Sequence, residues 1–391
     1  MKNQTSFLSL FEGQFGTASR PTRMGQLAIR LGGELTVYSR TSAKNTAEHR
    51  PHIRFVPFRP TERPLLSKVQ RRADLALRRF DAVRRNDAQW AVPPGPLQEE
   101  PFDIILCHDL ILLPMAYAVR ELPHNRGRAK IVMDLREYYP RQVESSLRWK
   151  LSTGILYHLL CDCYLRHADT LLTVSPGLVD EYKRVYGVTC RLLPSYSPFH
   201  DLQPSAIAED PIRCIHHGGA QPNRKLEGMI EAVRMLNGRF TLDFMLALGD
   251  AAYLRQLQEM ARDVPWVRFL PPVPMPDIVT AIHSYHLGLY LISPISFNHR
   301  HCWPNKLFEF IQARLGVIVS PVPDMAGLVR GWGVGAVSDD FTPESLARLL
   351  DGLAPETIRR FKEHSHMAAK ELCWEHNEKV LEGIFNNLLT Q

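Results

Sequence analysis

No stretch of the 391-residue sequence stays apolar over the roughly 20 positions that a helix needs to cross a bilayer. That absence argues against a membrane-spanning helix. The first residues, MKNQTSFLSLFEG, lack the apolar core and small-residue cleavage site of a secretory signal, so the expected compartment is the cytoplasm. A disulfide framework is missing too. The seven cysteines are odd in number and scattered, which fits reduced cytosolic thiols better than a cross-linked secreted domain. The one dense Cys/His segment, YHLLCDCYLRH, reads as a helix, and its four candidate ligands cannot all project from one helix face toward one ion. The sequence is basic overall but carries no nucleic-acid-binding motif.

What is present is an ordinary globular composition and enough chain for two or three domains, each with its own core. Charge is unevenly spread. Residues 1–200 carry 29 Lys/Arg against 19 Asp/Glu, a balance of +10, while residues 201–391 carry 18 against 22, a balance of −4. Between Arg50 and Trp90, 11 basic residues stand against four acidic ones. A basic first half points to an anionic partner surface, either lipid headgroups or a charged glycan. In the same region Leu66, Val69, Ala73, Leu77, Phe80 and Val83 share one helix face, flanked by arginines. Two readings stay open there: the apolar face packs on a sheet, or the helix lies in a membrane interface.

Strand and helix periods alternate along the chain. Residues 6–11, 35–38 and 53–56 read as strands, with a turn containing Gly13 and Gly16 and then a helix after the first. This is the βαβ opening of a doubly wound sheet. Strands at 102–107, 130–134 and near 170–174 follow, and Ser175 is placed to cap the next helix. Four prolines within residues 194–211 mark an interdomain linker. A second alternating series begins at residue 212. Its first helix carries the stripe Leu226, Met229, Ile230, Val233 and Leu236, and the chain ends on an amphipathic helix over 371–391.

The most informative stretch is HCWPNKLFEFIQARLGVIVSPVPDM, residues 301–325. Pro304 suits a first helical turn, where its missing N–H has no intrahelical partner. Leu307, Phe308, Ile311 and Leu315 recur at three- and four-residue steps as one buried stripe. Val317-Ile318-Val319 then reads as a strand buried on both faces. Lys306 is anomalous, because a cation is disfavoured at the positive end of a helix dipole unless an anion such as phosphate sits there too. Arg224 and Lys225 repeat the anomaly beside Gly218 and Gly219. One anionic ligand between two helix N-termini explains both.

The 301–325 stretch resembles the signature of the retaining nucleotide-sugar glycosyltransferases of family 4, P-N-K-L-F-E-(Y/F) followed by G-x-P-V-(I/V), and shorter segments over most of the chain agree with it. The resemblance implies an α/β fold of the GT-B type: two Rossmann-like doubly wound domains facing across a cleft, with the C-terminal helix crossing back to the first. It implies an acceptor-side domain at residues 1–199 together with 371–391, a linker at 200–211, and a nucleotide-sugar-binding domain at 212–370. Donor contacts would come from Gly218, Gly219, Arg224, Asn305, Lys306, Leu307 and Glu309. Glu309 would bind the ribose, with Arg224 and Lys306 on the diphosphate. The family's other glutamate, near the donor sugar, is replaced by His301.

In the first domain, the Asp103…His108 spacing is similar to the family's D-x-x-H-x-H strand end, with Leu106 in place of the first histidine. DLREYYP is similar to D-x-(H/R)-E-x-x-P. The implied acceptor-side candidates are Gly16, Arg20, Arg23, Asp134 and Glu137, and the implied catalytic set is His108, Arg224 and Lys306. No metal and no cofactor beyond the nucleotide-sugar co-substrate is implied. The activity would be retaining transfer of a sugar to a glycan or lipid-linked acceptor in bacterial surface polysaccharide or glycoconjugate synthesis. The enzyme would be cytoplasmic and peripheral on the inner face of the membrane, with an anionic membrane surface as a further partner. A non-catalytic nucleotide-sugar or glycan binder, or a GT-B epimerase or hydrolase, is the alternative.

Overall fold

The computed structural model describes residues 4–16, 18–40, 52–58, 64–79, 81–83, 85–86, 91–207, 211–247 and 249–390. The chain divides into two compact units. One comprises Met1–Leu193, Ser296–Asn298 and Glu378–Gln391, the other Pro194–Ile295 and His299–Asn377.

The first unit is built on a seven-stranded sheet: β1 (Ser6–Leu10), β2 (Glu34–Ser39), β3 (Ile53–Pro57), β4 (Ile104–Cys107), β5 (Lys130–Leu135), β6 (Thr170–Thr173) and β7 (Arg191–Leu192). The order is β3-β2-β1-β4-β5-β6-β7 and every pairing is parallel. Parallel strands need crossover helices on both faces, so their central members are buried throughout. The run IILC of β4 meets that demand, with all four residues at 0% exposure. The direction of winding reverses between β1 and β4, where Leu10 stands opposite Cys107. Ligands of doubly wound sheets bind beyond the carboxyl ends of the strands at such a reversal. The residues placed there are the turn after Leu10 and His108.

The second unit repeats the plan with six parallel strands: β8 (Ile212–Gly219), β9 (Phe240–Ala247), β10 (Val267–Leu270), β11 (Leu287–Tyr290), β12 (Gly316–Val319) and β13 (Gly335–Val337), in the order β10-β9-β8-β11-β12-β13. Its reversal lies between β8 and β11, so Gly218, Gly219 and the residues after Tyr290 occupy the ligand-side edge. Two apolar clusters fill this unit, one around Met229, Phe240 and Phe244, the other around Phe308, Ile311 and Val317.

Several expectations are corrected. The helix of the 301–325 stretch is Asn305–Gln312, with Pro304 as its N-cap rather than in its first turn. All residues from Lys306 to Gln312 are buried, so this helix is enclosed all round instead of amphipathic. Leu315 is buried too, but beyond the helix. The proline-rich stretch from Pro194 is no free linker. Ser197 O accepts from Trp374 N at 2.8 Å, and His200 O accepts from the Arg314 guanidinium at 2.6 Å, which fastens it to the second unit. The terminal helix runs over Trp374–Leu389, after a separate helix Pro355–Glu371. From Glu378 it belongs to the first unit, where Phe385 packs edge-on against Phe7 at 5.4 Å.

In and just after the helix Leu65–Ala76, much of the expected apolar stripe is exposed. Leu66, Val69 and Leu77 face solvent, while Ser67, Arg71, Asp74 and Leu75 turn inward. Val83 alone of the outer stripe is buried in the core, and Phe80 lies outside the described residues.

Candidate functional site

In the second unit the site grows from the end of β8, IRCIHHGG. Successive side chains of a strand point to opposite faces, so the paired histidines serve two sides of the sheet. His216 Nδ1 lies 2.8 Å from Leu289 O, which places its proton there, and its ring lies parallel to that of Tyr290. Burial, helped by the Lys306 charge, pulls His216 down to about 3. His217 packs edge-on against Phe310, with Nε2 3.4 Å from Glu309 Oε2. Burial and Lys306 hold it well below its ordinary value as well. Both rings are neutral at physiological pH, and neither Nε2 has a hydrogen-bond partner.

Gly218 follows at a φ of +132°, a conformation that L side chains rarely adopt. A Cβ there would stand 2.3 Å from Lys306 Cε, 2.6 Å from Nζ and 3.1 Å from an Arg224 guanidinium nitrogen. Two cations therefore converge over one glycine. Lys306 is buried, its ammonium 5.1 Å from the centroid of the Tyr290 ring. Burial pulls Lys306 down to about 7, the Arg224 charge acts in the same sense, and Glu309 opposes them. Arg224 is half-buried and donates to Gly219 O at 3.3 Å. Such a pair of cations, short of compensating charge, is an anion site in its electrostatics.

Beside Arg224 opens a cavity of about 330 Å³ whose walls include Glu227, Ile292, Ser293, Ser320 and Thr342. It lies beyond the carboxyl ends of β11 and β12. Ser320 Oγ ties those ends together, accepting from Ile292 N at 3.0 Å and donating to Ile292 O at 2.9 Å.

The structure thus brings together Gly218, Arg224, Lys306 and Glu309 of the residues singled out from sequence. Asn305 is exposed at the first position of its helix. Leu307 has its side chain fully buried in the core, and its N–H donates to Pro304 O at 3.0 Å. Gly219 is open, with nothing nearer than 3.9 Å to a Cβ built there. Lys225 is exposed at a φ of +49° and lines the cavity beside Arg224. His301 Nδ1 lies 3.3 Å from Asp324 Oδ1. Sequence reasoning passed over His216, His217, Tyr290 and the cavity's serines. The signal that was present is HH inside an otherwise apolar central strand, since buried imidazoles are costly without a task.

In the first unit, His108 ends β4 with its side chain fully buried. Its Nδ1 lies 3.1 Å from Asp134 Oδ2 on β5, and its Nε2 has no hydrogen-bond partner. Asp134 is held in turn by Arg20, whose Nε and Nη2 donate to the carboxylate at 2.7–2.9 Å while Nη1 donates to Leu193 O at 2.6 Å. Burial pushes the Asp134 carboxyl up, but the Arg20 charge and the hydrogen bonds from His108 and Arg20 outweigh it and hold it well below the carboxylate range. Arg20 and Asp134 thus form a buried pair that holds the His108 ring. Gly16, at a φ of +94°, donates its N–H to Thr22 Oγ1 at 2.9 Å, and Arg23 is half-buried on the same helix. Glu137 is half-buried and pushed up by that burial. Arg136 donates to Asp109 Oδ1 at 2.5 Å and Glu12 N to Asp109 Oδ2 at 2.8 Å, which braces the loops after β1, β4 and β5.

All seven cysteines are free thiols, and among the described residues no three His, Cys, Asp or Glu side chains converge as metal ligands. Among the described residues no helix is long and apolar enough to cross a membrane.

No family model and no curated protein matches the sequence. Solved structures do. The chain is similar to sucrose-phosphate synthase from Thermosynechococcus elongatus, with a TM-score of 0.70, 13% identity, and 99% of this chain and 100% of that one covered. A glycosyltransferase from Rickettsia africae gives 0.68 at 10% identity over 99% of each chain. HepE from Anabaena, in complex with UDP and glucose, gives 0.67 at 12% identity over 98% of this chain and 100% of that one. At such identities the likeness is one of fold, and the fold is GT-B: two Rossmann-like α/β units with a C-terminal helix.

Proposed function

We propose that the chain is a metal-independent, retaining glycosyltransferase that moves a sugar from a nucleotide-sugar donor to a glycan or lipid-linked acceptor. The observation that carries this is the convergence of Arg224 and Lys306 over Gly218 at the winding reversal of the second sheet. A departing nucleoside diphosphate gathers negative charge as the glycosidic bond breaks. Arg224 is always charged and suited to phosphate oxygens, whereas Lys306, near 7 without ligand, becomes fully charged as that anion develops. Its stabilisation therefore grows toward the transition state, which is what lowers a barrier. Glu309 is placed to accept from ribose hydroxyls, by the family resemblance. The acceptor deprotonates onto the leaving phosphate, so no side chain is assigned as general base.

In the first unit His108, locked by Asp134 and Arg20, presents its Nε2 to orient donor and acceptor hydroxyls. Gly16, Arg23 and Glu137 are acceptor-side contacts, and His301 stands at the donor sugar. The likeness to HepE with UDP and glucose makes a UDP-hexose the first donor to try. The enzyme works in the cytoplasm, in bacterial surface glycan or glycoconjugate synthesis, with an anionic membrane as a partner of its basic first unit.

A thermal-shift screen with UDP, GDP, ADP, CMP and their sugars tests this reading, on wild type and Glu309→Ala. Ligand at 100 times its dissociation constant adds about 2.7 kcal/mol. One nucleotide is expected to stabilise wild type and not the variant; no response to any would sink the donor-site assignment. A second reading, a non-catalytic binder, is favoured by the pairing of His301 with Asp324 where the resemblance has a glutamate. It gives the same thermal shifts with no turnover on any acceptor.

A further inference from the structure

In the first unit, two segments that carry exposed leucines also line one groove. On the helix Leu65–Ala76, Leu65 and Leu66 are 78% and 79% exposed, and the side turned inward carries Leu75, which packs in the core, with the polar Ser67, Arg71 and Asp74. Leu65, Leu66 and Val69 are left uncovered, unlike the apolar stripe of a helix packed along its length on a domain core. A second segment, beginning with the short helix Leu147–Trp149, carries Leu147 and Leu151 at 69% and 62% exposure. Arg71, Arg72 and Leu75 from the first element and Arg148, Trp149 and Leu151 from the second line a groove of about 630 Å³ between them. Single exposed leucines need no account, but a set gathered around a basic groove does.

Basic side chains predominate around the groove. Lys68, Arg71 and Arg72 lie on the first element and Arg78 and Arg79 follow it, with one acid, Asp74, which is buried. Arg148 and Lys150 stand on the second with no acid between residues 146 and 155. Leucines projecting beyond a ring of long cationic side chains match the layering of a bilayer surface, where phosphates lie above acyl chains.

We infer that this face docks on an anionic phospholipid bilayer. Leu65, Leu66, Leu147 and Leu151 enter the interface, and Arg71, Arg72 and Arg148 receive headgroup phosphates in the groove. The inference rests on the membrane partner proposed above and adds to it the surface, the residues and the lipid chemistry. Docking here holds the first unit against the layer in which a lipid-linked acceptor would be presented.

Flotation of the full chain with vesicles tests it, using phosphatidylglycerol in phosphatidylcholine against phosphatidylcholine alone. Wild type is expected to float with the anionic vesicles only and to be released by high salt. The Leu147→Asp/Leu151→Asp variant should partition at least tenfold less. Replacing Arg71, Arg72 and Arg148 by Gln should weaken binding about fivefold per charge. Arg71 is half-buried and the other sites are exposed or border the groove, so unchanged thermal unfolding of each variant checks that the fold is intact. If wild type and the leucine variant float equally, this inference fails while the membrane proposal stands. If wild type floats with neither vesicle, both fail. Concentration-dependent dimerisation lost in the leucine variant, without flotation, would assign the face to a second copy and overturn the lipid assignment.

Discussion

Gly218 leaves room for Lys306: a methyl group on its Cα would stand 2.6 Å from the lysine nitrogen, although the two residues are 88 positions apart. The end of one strand and the start of one helix are thereby committed to a shared task, the seating of a cation over bare backbone. Neighbouring Gly219 carries no such constraint, and that contrast can be tested.

Gly218→Ala should abolish stabilisation by the nucleotide while costing the fold about 1–3 kcal/mol, the usual penalty for an L residue in a sparsely populated backbone region. Gly219→Ala should retain nucleotide binding, since a Cβ there meets nothing nearer than 3.9 Å. Thermal shifts with and without UDP-glucose check both. Equal loss in the two variants would refute the role given to Gly218.

Lys306 makes donor binding depend on pH. Free, it titrates at about 7; beside bound phosphates its charged form is favoured, so its value rises. Below pH 7 it is already charged and contributes no slope. Above 7 binding must take up a proton, and affinity should fall by up to about tenfold per pH unit. Calorimetry with UDP-glucose at pH 8, in two buffers of different ionisation heat, should show proton uptake in wild type and none in Lys306→Met. Equal uptake in both would place the proton elsewhere.

Asp134→Asn should destabilise the protein by about 3–5 kcal/mol, because it strands a buried Arg20 without its counter-charge. The Arg20→Met/Asp134→Asn double variant should recover part of that loss. The sign with pH follows from the shift. Asp134 sits lower in the folded chain than in the unfolded one, so its stabilisation is present above about pH 4 and is lost as pH falls toward the folded value. Urea unfolding at pH 7 and in mild acid, on wild type and variants, measures each part.

Much of the fold was legible because local patterns encode it. Runs such as IILC and GVIV can only be parallel strands buried on both faces, and their alternation with helical periods gives a doubly wound order. Lys306 and Arg224 were visible as cations where helix dipoles disfavour them. The His216-His217 pair was equally visible but was read only as part of a strand, since periodicity says nothing about what a buried polar side chain is for.

Other features could not be read along the chain. Arg20 and Asp134 were singled out separately as acceptor-side candidates, yet they form one buried pair across 114 positions, because a carboxylate taken out of water demands a counter-charge from whatever element arrives beside it. Leu65, Leu66 and Val69 belong to an apolar pattern in sequence whichever way they point, and only the position of the helix Leu65–Ala76 in the unit turns them outward while burying Leu75. The sequence by itself determined which residues are apolar, at what period, and hence the strands, helices and class of fold. Tertiary structure alone decided which distant charges meet and which apolar face stays uncovered. Both are settled by packing and desolvation between segments far apart in the chain, and no local period records them.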